Sequence, residues 1–205
     1  LTKDKNKLPT IYITGGSSGS HSINLLIEGC VKQLLEKYVV IHQTGDAKEY
    51  KDFDRLNTLK NRLSHDQKAR YVLQKFIDPE MVGSVLDRAD LVVGRSGMNI
   101  VTELLYFEKP ALLIPLPFSQ NNEQLKNAKF LEKIGLSKVL QQEELDSMKL
   151  SQAIDLAFHN IDNYKISDRE LKNLPGRNAR FAARRAAQNI ISVINYAAKK
   201  RTKIF

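Results

Sequence analysis

The segment LVVGRSGMNIVTE, residues 91–103, holds three structural signals in succession. Leu91–Val93 has the composition of a short buried strand, Ser96 and Gly97 are typical of a tight turn, and Asn99–Phe107 has the apolar spacing of a helix. The sequence therefore predicts a strand, a glycine turn and the start of a helix. A helix N-terminus with small residues offers free backbone N–H groups and the positive end of a dipole, which favour a phosphate or diphosphate.

Two neighbouring features indicate that this segment forms a small-molecule site. Glu103 falls about one turn into the predicted helix, where its carboxylate can accept hydrogen bonds from paired hydroxyls such as those of a ribose. The apolar run Ala111–Pro115 predicts a further buried strand, and the polar residues Asn122–Gln124 follow it.

Apolar runs with the composition of strands alternate with helix-like segments along most of the chain. This alternation predicts an α/β fold in which a Rossmann-like parallel sheet is flanked by helices. The predicted strands cover residues 11–13, 39–41, 71–73, 91–93, 111–114 and 138–140, and the predicted helices cover residues 22–35, 47–63, 79–88, 99–107 and 122–134.

Candidate polar segments follow four of these strands: Gly15–Gly19, Ile77-Asp78, Arg95–Gly97 and Pro117–Gln124. In open sheets of this kind, ligands bind outside the carboxyl ends of the strands, where the strand order reverses, so we expect these segments to converge on one site. Gly15–Gly19 has the context of a phosphate-binding turn, but it lacks G-x-G-x-x-G spacing and the lysine of a P-loop. A purely structural turn remains an alternative for it.

The composition limits the class of protein. Of 205 residues, 42% are hydrophobic, which is enough for a sizeable core. The single cysteine, Cys30, predicts a buried structural thiol and a reducing compartment. No apolar run approaches the roughly 20 residues of a membrane span, and Leu1–Lys7 does not resemble a signal peptide. Because the chain starts with Leu1 and a strand is predicted from Thr10, we expect a preceding domain to be missing.

The sequence predicts neither a metal site nor a complete catalytic apparatus. The 4 histidines are dispersed, without a cysteine partner or H-x-x-x-H spacing. Asp52–Asp54 resembles a metal-binding D-x-D motif, but it falls in a polar helical stretch, and we expect it to be solvated surface. No Ser-His-Asp set or close carboxylate pair can be assembled.

The net charge of +9 is concentrated near the C-terminus, where Lys165–Phe205 has 11 basic and 2 acidic residues. Apolar residues from Ala183 to Ala198 form one helical stripe with basic residues largely off it, so this segment predicts a basic amphipathic helix. Its basic face is either plain solvated surface above a docking stripe or a surface for anionic lipid, and no motif supports nucleic acid. We expect a Rossmann-like domain over residues 1–174 and this helix over residues 175–205, with a hinge at Asn173–Gly176.

Several short motifs, in this order and spacing, resemble the C-terminal half of MurG-type glycosyltransferases. The match spans roughly Pro9 to Leu140. The motifs are Thr14–Gly19 with Asn24, Phe76–Asp78, Arg95–Gly97 with Thr102 and Glu103, Pro110–Pro115, and Gln124 with Asn127 and Ala128.

The resemblance implies a GT-B architecture of two Rossmann-like domains. The C-terminal domain binds UDP-N-acetylglucosamine, and the N-terminal domain, or a separate subunit, takes a lipid-linked acceptor of the peptidoglycan-precursor type. It further implies inverting transfer with the general base in the missing N-terminal domain, no resident cofactor or metal, and a cytoplasmic enzyme peripheral at the inner face of the cell membrane. We therefore expect this chain alone to bind the donor and to transfer little or none of it.

Carried over by position, the resemblance assigns each part of the donor to residues of this chain. The diphosphate falls to Gly16, Ser17 and Ser18, and Asn99 and Ile100 start the helix that faces it. The uracil falls to Phe76 and the backbone of Ile77, the ribose to Glu103, and the sugar hydroxyls to Gln124. Further substrate-binding residues are Arg95, Ser96, Gly97 and Glu123. The family often has glutamine where Glu123 stands and a small residue near Ile100, which bears on the identity of the sugar.

Two other functions fit the same sequence. A GT-B epimerase or hydrolase acting on the same UDP-sugar requires an acid and base pair in the cleft that the sequence does not reveal. A non-catalytic sugar-nucleotide-binding module uses the basic tail as its interaction surface.

Overall fold

The computed structural model describes residues 8–47 and 49–166, which form a six-stranded sheet with helices on both faces. All strand pairs are parallel, and the strand order is β3-β2-β1-β4-β5-β6. The strands are β1 (Thr10–Thr14), β2 (Val39–Gln43), β3 (Tyr71–Gln74), β4 (Leu91–Gly94), β5 (Ala111–Leu113) and β6 (Ser137–Val139).

The α-helices of the described part follow the strands in the crossover pattern of a Rossmann-like fold, so the predicted α/β class is confirmed. Short 3-10 turns occupy Gln120–Asn122, Gln142–Glu144 and Ile161–Asn163. The helices are α1 (His21–Lys37), α2 (Asp52–Asn61), α3 (His65–Arg70), α4 (Pro79–Arg88), α5 (Met98–Phe107), α6 (Glu123–Lys133) and α7 (Ser147–His159).

The predicted bounds of the helix over residues 47–63 are wrong, because α2 covers only Asp52–Asn61, and the helix α3 that follows at His65–Arg70 was not predicted. Ser64 starts the second helix with a capping box: its hydroxyl accepts from the Gln67 backbone N–H at 3.3 Å, and the Gln67 side chain accepts from the Ser64 N–H at 3.3 Å.

Two apolar clusters cover the two faces of the sheet. Alternate residues of β1 point to opposite faces, so Ile11 and Ile13 join the cluster beneath α1 and α7, whereas Tyr12 joins the cluster beneath α4, α5 and α6. Cys30 is buried on α1 and its Sγ contacts the Leu26 carbonyl at 3.2 Å, which confirms the predicted structural thiol. The sheet is thus covered on both faces, and its carboxyl edge is left to the loops.

Asp52 contradicts the prediction that residues 52–54 are solvated surface, because it is only 4% exposed. Its carboxylate accepts hydrogen bonds from Asn24 Nδ2 at 2.8 Å, His21 Nδ1 at 2.8 Å and Arg55 at 2.7 Å. Burial alone would raise the pKa of Asp52, but these hydrogen bonds outweigh it and hold the pKa below its ordinary value. Asp54 is exposed, as expected.

No helix within residues 8–47 and 49–166 combines the length and apolar character that a membrane span requires. The predicted domain boundary at residues 174 and 175, the hinge and the basic amphipathic helix lie outside the described residues.

Candidate functional site

The strand order reverses between β1 and β4, and this position brings two of the predicted loops together. Thr14 and Gly94, the last residues of these strands, are paired in register. The β1–α1 loop and the β4–α5 turn therefore start side by side at the carboxyl edge of the sheet, which is where open α/β sheets bind ligands.

The β1–α1 loop is an open glycine turn. The Gly16 N–H donates to Thr14 Oγ1 at 3.0 Å, and the Gly19 N–H donates to the Gly16 carbonyl at 3.1 Å. Gly16 has a φ of 86°, and a Cβ atom placed on it would meet no atom within 4 Å. Ser17 and Ser18 are exposed at the tip of the turn. The turn thus presents backbone and hydroxyl groups to solvent beside the N-terminus of α1.

The β4–α5 turn ends in an open helix N-terminus. Gly97 is the N-cap of α5, makes no side-chain capping bond, and would carry a Cβ atom without any contact within 4 Å. Asn99 in the first turn of the helix is exposed, and Ile100 is half-buried. Since the first turn of α5 contains no acidic residue, its N–H groups and dipole are available to an anion.

Ser96 lies at the same turn but faces inward. It is fully buried, and its hydroxyl donates to the Gln124 carbonyl at 2.7 Å. Asn127 Nδ2 donates to the Ser96 carbonyl at 3.1 Å. These two hydrogen bonds join the start of α5 to the start of α6.

Arg95 also points into the protein rather than into solvent, and it is 8% exposed. Its guanidinium donates to Ser20 Oγ at 3.1 Å, to the Ile114 carbonyl at 3.0 Å, to the Pro115 carbonyl at 3.3 Å and to Gln142 Oε1 at 2.7 Å. Burial lowers its pKa from the ordinary value. The side chain therefore connects the N-cap of α1 to the end of β5.

Glu103 lies half-buried on α5, one turn beyond the open N-terminus. Burial raises the pKa of its carboxyl group to about 7. No hydrogen bond or ion pair with another described residue engages this carboxylate. A partly desolvated carboxylate beside a helix N-terminus is a suitable acceptor for hydroxyl groups of a ligand.

Phe76 and Ile77 follow β3 at the same edge. The Phe76 ring is 52% exposed, while Ile77 is half-buried against the second apolar cluster. The Ile77 N–H donates to Gln43 Oε1 at 3.2 Å, whereas no described residue donates to its carbonyl. Asp78 then caps α4 by accepting from the Glu80 N–H at 3.0 Å. An exposed ring and an available carbonyl thus stand next to each other.

Glu123 and Gln124 begin α6 after two asparagines, Asn121 and Asn122, with φ values of 52° and 54°. Glu123 is exposed. Gln124 Oε1 accepts from the Leu116 N–H at 3.0 Å, and its Nε2 donates to no described residue. This amide nitrogen therefore remains available to a ligand.

The structure brings one further residue into this region that the sequence analysis did not consider. Gln43 ends β2, is 7% exposed, and hydrogen-bonds both the Gly16 carbonyl and the Ile77 N–H. The available signal was its position: a polar residue at the carboxyl end of a predicted strand, directly before Thr44 and Gly45.

Metal-ligating side chains do not cluster in the part of the chain that the structure describes. No group of three or more His, Cys, Asp or Glu residues within it could hold a metal ion. The polar groups that converge at the carboxyl edge are backbone N–H groups, hydroxyls, amides, the half-buried carboxylate of Glu103 and the exposed carboxylate of Glu123.

Comparison with known proteins agrees with this geometry. A profile of the glycosyltransferase family 28 C-terminal domain matches residues 10–190. MurG of Acinetobacter baumannii has a similar structure, with a TM-score of 0.65 and 25% sequence identity over 96% of this chain and 54% of that chain. The predicted resemblance to MurG-type glycosyltransferases is thus confirmed.

Two curated relatives carry the same name, UDP-N-acetylglucosamine--N-acetylmuramyl-(pentapeptide) pyrophosphoryl-undecaprenol N-acetylglucosamine transferase. The protein of Prochlorococcus marinus is 28% identical, covering 96% of this chain and 51% of the relative. The protein of Clostridium kluyveri is 34% identical, covering 78% of this chain and 42% of the relative. The chain therefore spans about half the length of the curated relatives it matches. Because the family profile covers most of the sequence, this chain belongs to the glycosyltransferase family 28 C-terminal domain family.

Proposed function

We propose that this chain is the donor-binding part of an inverting glycosyltransferase. The enzyme moves N-acetylglucosamine from UDP-N-acetylglucosamine to a lipid-linked acceptor of the peptidoglycan-precursor type. The observation that carries the proposal is the open N-terminus of α5 beside the Gly16–Ser18 turn, with the Glu103 carboxylate, which no other described residue engages, about one helical turn away. The names of the two relatives supply the donor and the class of acceptor.

The diphosphate binds between the two open turns. Neutral donors from the Gly16–Ser18 turn and from the first turn of α5 face it, and the dipole of α5 adds a favourable field. Ser96 and Arg95 hold these turns in place from behind, since their polar atoms are engaged with Gln124, Ser20 and the end of β5. We propose that they contribute to the diphosphate site through this positioning.

The uridine lies across the ends of β1 and β3. The Ile77 carbonyl is available to accept from the uracil ring N–H, and the exposed Phe76 ring forms an apolar wall beside it. Glu103 accepts hydrogen bonds from the two ribose hydroxyls. A purine presents a different edge to Ile77, so we expect the site to favour uridine nucleotides.

The sugar lies toward the start of α6, where Gln124 Nε2 donates to its hydroxyls and the exposed Glu123 accepts from them. An acceptor hydroxyl attacks the anomeric carbon from the face opposite the diphosphate. The bond between the anomeric carbon and the diphosphate oxygen breaks, and UDP leaves with the electron pair. The N–H donors around the diphosphate stabilise the charge that develops on it, which lowers the barrier.

We propose that the acceptor and the general base are held by an N-terminal domain or a separate subunit. The curated relatives that this chain matches are about twice its length, which leaves room for such a domain. We also propose that the enzyme works at the cytoplasmic face of the membrane, which carries such lipid-linked acceptors, with the basic C-terminal segment facing anionic lipid.

Calorimetric titration of the chain with UDP-N-acetylglucosamine, UDP and GDP tests the donor site, in EDTA and again with Mg²⁺. We expect binding that favours uridine nucleotides, and Glu103→Ala to weaken UDP binding at least about tenfold, since two charge-assisted hydrogen bonds are lost. Glu36→Ala is the matched control, because Glu36 is an exposed glutamate at the far end of α1. Equal affinities for UDP and GDP, or an unaffected Glu103→Ala variant, would contradict the proposal.

Product analysis with the complete enzyme separates transfer from the alternatives. UDP release that depends on the lipid acceptor supports transfer. UDP release without acceptor indicates a hydrolase, conversion of the sugar indicates an epimerase, and binding without turnover indicates a non-catalytic module.

A further inference from the structure

Gln43 occupies a central position behind the proposed donor site. It is the last residue of β2, paired with Thr14 at the end of β1 and with Gln74 at the end of β3. Its side chain is 7% exposed, so its polar atoms need protein partners. It finds them on three different segments, so it uses three of the four hydrogen bonds that a glutamine amide can make.

The orientation of the Gln43 amide is fixed by partners that can act in only one way. The Ile77 N–H can only donate, and it lies 3.2 Å from Oε1. The Gly16 carbonyl can only accept, and it lies 3.1 Å from Nε2. The Tyr12 hydroxyl, on the neighbouring strand β1, also donates to Oε1, at a distance of 3.3 Å.

The hydrogen bond from Gln43 to the Gly16 carbonyl affects the direction of the Ser17 N–H in the glycine turn. The Gly16 carbonyl and the Ser17 N–H belong to one trans peptide unit and point in opposite directions. Because the carbonyl accepts from Gln43 Nε2 and from the Gly19 N–H, the Ser17 N–H points away from both of these groups, and no hydrogen bond within the described residues uses it. The same amide holds the Ile77 backbone through its N–H.

We propose that Gln43 is a positioning residue for the donor: it couples the turn that binds the diphosphate to the segment that binds uracil. The inference rests on the proposed function and deepens it. Gln43 contacts both the Gly16 carbonyl, which the Gly19 N–H also holds at 3.1 Å, and the Ile77 N–H, so this one side chain keeps the diphosphate and uracil parts of the site at a fixed distance. Loss of Gln43 weakens both parts together, without removing any atom that touches the ligand.

Two substitutions distinguish the hydrogen bond to the Ile77 N–H from the hydrogen bond to the Gly16 carbonyl. Gln43→Leu removes all three hydrogen bonds, so we expect UDP affinity to fall about tenfold and the preference for UDP over GDP to shrink. Gln43→Glu keeps an oxygen for the Ile77 N–H but places a second oxygen against the Gly16 carbonyl. We expect this variant to bind UDP more weakly while it keeps the preference for uracil.

Gln74→Leu is the matched control. Gln74 ends the neighbouring strand in register with Gln43, but its side chain is exposed and forms no hydrogen bond with the described residues. We expect this variant to bind UDP and GDP like the unmodified chain. Thermal unfolding and amide spectra of all variants show whether they remain folded, and Gln43→Glu carries the test if Gln43→Leu does not fold.

The outcomes distinguish failure of the inference from failure of the proposed function. If the unmodified chain binds UDP and Gln43→Leu binds it equally well with the same preference, Gln43 has no positioning role. If the unmodified chain binds no nucleotide, the donor-site proposal fails for this chain. In that case hydrogen exchange of the Ile77 amide still tests whether Gln43 holds the Ile77 backbone. Unchanged protection in Gln43→Leu overturns the positioning role, and faster exchange supports it.

Discussion

Asn24 donates a hydrogen bond from Nδ2 to Oδ2 of Asp52 across 2.8 Å, and both side chains are almost fully buried. The same Nδ2 donates to the Thr44 carbonyl at 3.0 Å, while Oδ1 lies 3.0 Å from Nε2 of His42. Burial lowers the pKa of His42 to about 3, although Asp52 opposes the shift, so the imidazole is neutral and donates through Nε2. One asparagine thus links α1 to β2, to the β2–α2 loop and to α2.

Replacing Asn24 with alanine leaves the Thr44 carbonyl and the His42 Nε2–H without this partner and removes one of three hydrogen bonds to the buried Asp52 carboxylate. We expect Asn24→Ala to lower the free energy of unfolding by about 3 kcal/mol, since each unsatisfied buried group costs about 1–3 kcal/mol and the site relaxes in part. Urea denaturation measures this loss. Thr58→Ala is the control, because Thr58 is exposed and its hydroxyl donates to the Asp54 carbonyl of its own helix, and we expect a change within about 0.5 kcal/mol. A loss below about 1 kcal/mol for Asn24→Ala would show that the hydrogen bonds of Asn24 do not contribute to stability as expected.

Gly16 and Gly19 both have positive φ values, 86° and 78°, but their surroundings differ. A Cβ atom on Gly19 would lie 2.1 Å from the Thr44 carbonyl oxygen, whereas one on Gly16 would meet nothing within 4 Å. We expect Gly16→Ala to cost about 1 kcal/mol from its backbone conformation alone. We expect Gly19→Ala to cost about 3 kcal/mol or more, because the β1–α1 and β2–α2 loops must move apart. Thermal and urea unfolding of the two variants side by side checks the difference, and similar losses would contradict the packing of these loops.

The sheet could be predicted from the sequence because each strand is a short apolar run between polar segments, and parallel strands with crossover helices leave few topologies. The helix α3 could not be found by periodicity, since none of its residues is buried. Its capping box, Ser64 with Gln67 three residues later, was the only local signal.

The candidate site was predicted in its location but less completely in the roles of its side chains. Motif spacing places Arg95 after a strand at the ligand edge, yet its acceptors at Ile114 and Gln142 lie 19 and 47 residues further along the chain. Sequence alone does not show which way such a long side chain points. Gln43 was missed for the same reason, since its partners Gly16 and Ile77 become neighbours only when β1, β2 and β3 pair.

Arg95→Lys tests whether this residue acts through the protein or on the ligand. A lysine cannot span the four acceptors that the guanidinium reaches, so we expect a loss of about 2–3 kcal/mol in the free energy of unfolding. We also expect UDP affinity to fall by a larger factor than UMP affinity, since Arg95 holds the turns of the proposed diphosphate site in place. A loss of UDP affinity with unchanged stability would instead indicate direct contact with the diphosphate. Arg62→Lys, at an exposed arginine after α2, controls for the chemistry of the substitution.

Glu103→Gln is expected to stabilise the chain at high pH while it weakens the binding of UDP. The pKa of Glu103 is raised by burial from 4.5 to about 7, so between these values the folded chain binds more protons than the unfolded chain. The free energy of unfolding therefore falls as pH rises through this window, and the glutamine variant lacks this loss. Urea denaturation of both proteins at pH 5 and pH 8 gives the comparison, and the advantage of the variant should grow with pH. A difference that is the same at both pH values would mean that Glu103 is not desolvated.

The ionisation of Glu103 also affects the binding of the ligand. Hydroxyls of a ribose donate to the ionised carboxylate, so the affinity of the unmodified chain for UDP-N-acetylglucosamine should increase as pH rises from 6 to 8, and that of Glu103→Gln should be weaker and nearly independent of pH. The sugar nucleotide is used because the terminal phosphate of UDP itself titrates at about pH 6. Calorimetry across this range measures both slopes, with the exposed Glu36→Gln as the control for general charge effects. As pH rises, the stability of the unmodified chain should therefore fall while its affinity for the ligand increases. Desolvation destabilises the ionised Glu103 side chain in the free chain, and the ribose hydroxyls replace the missing water when the ligand binds.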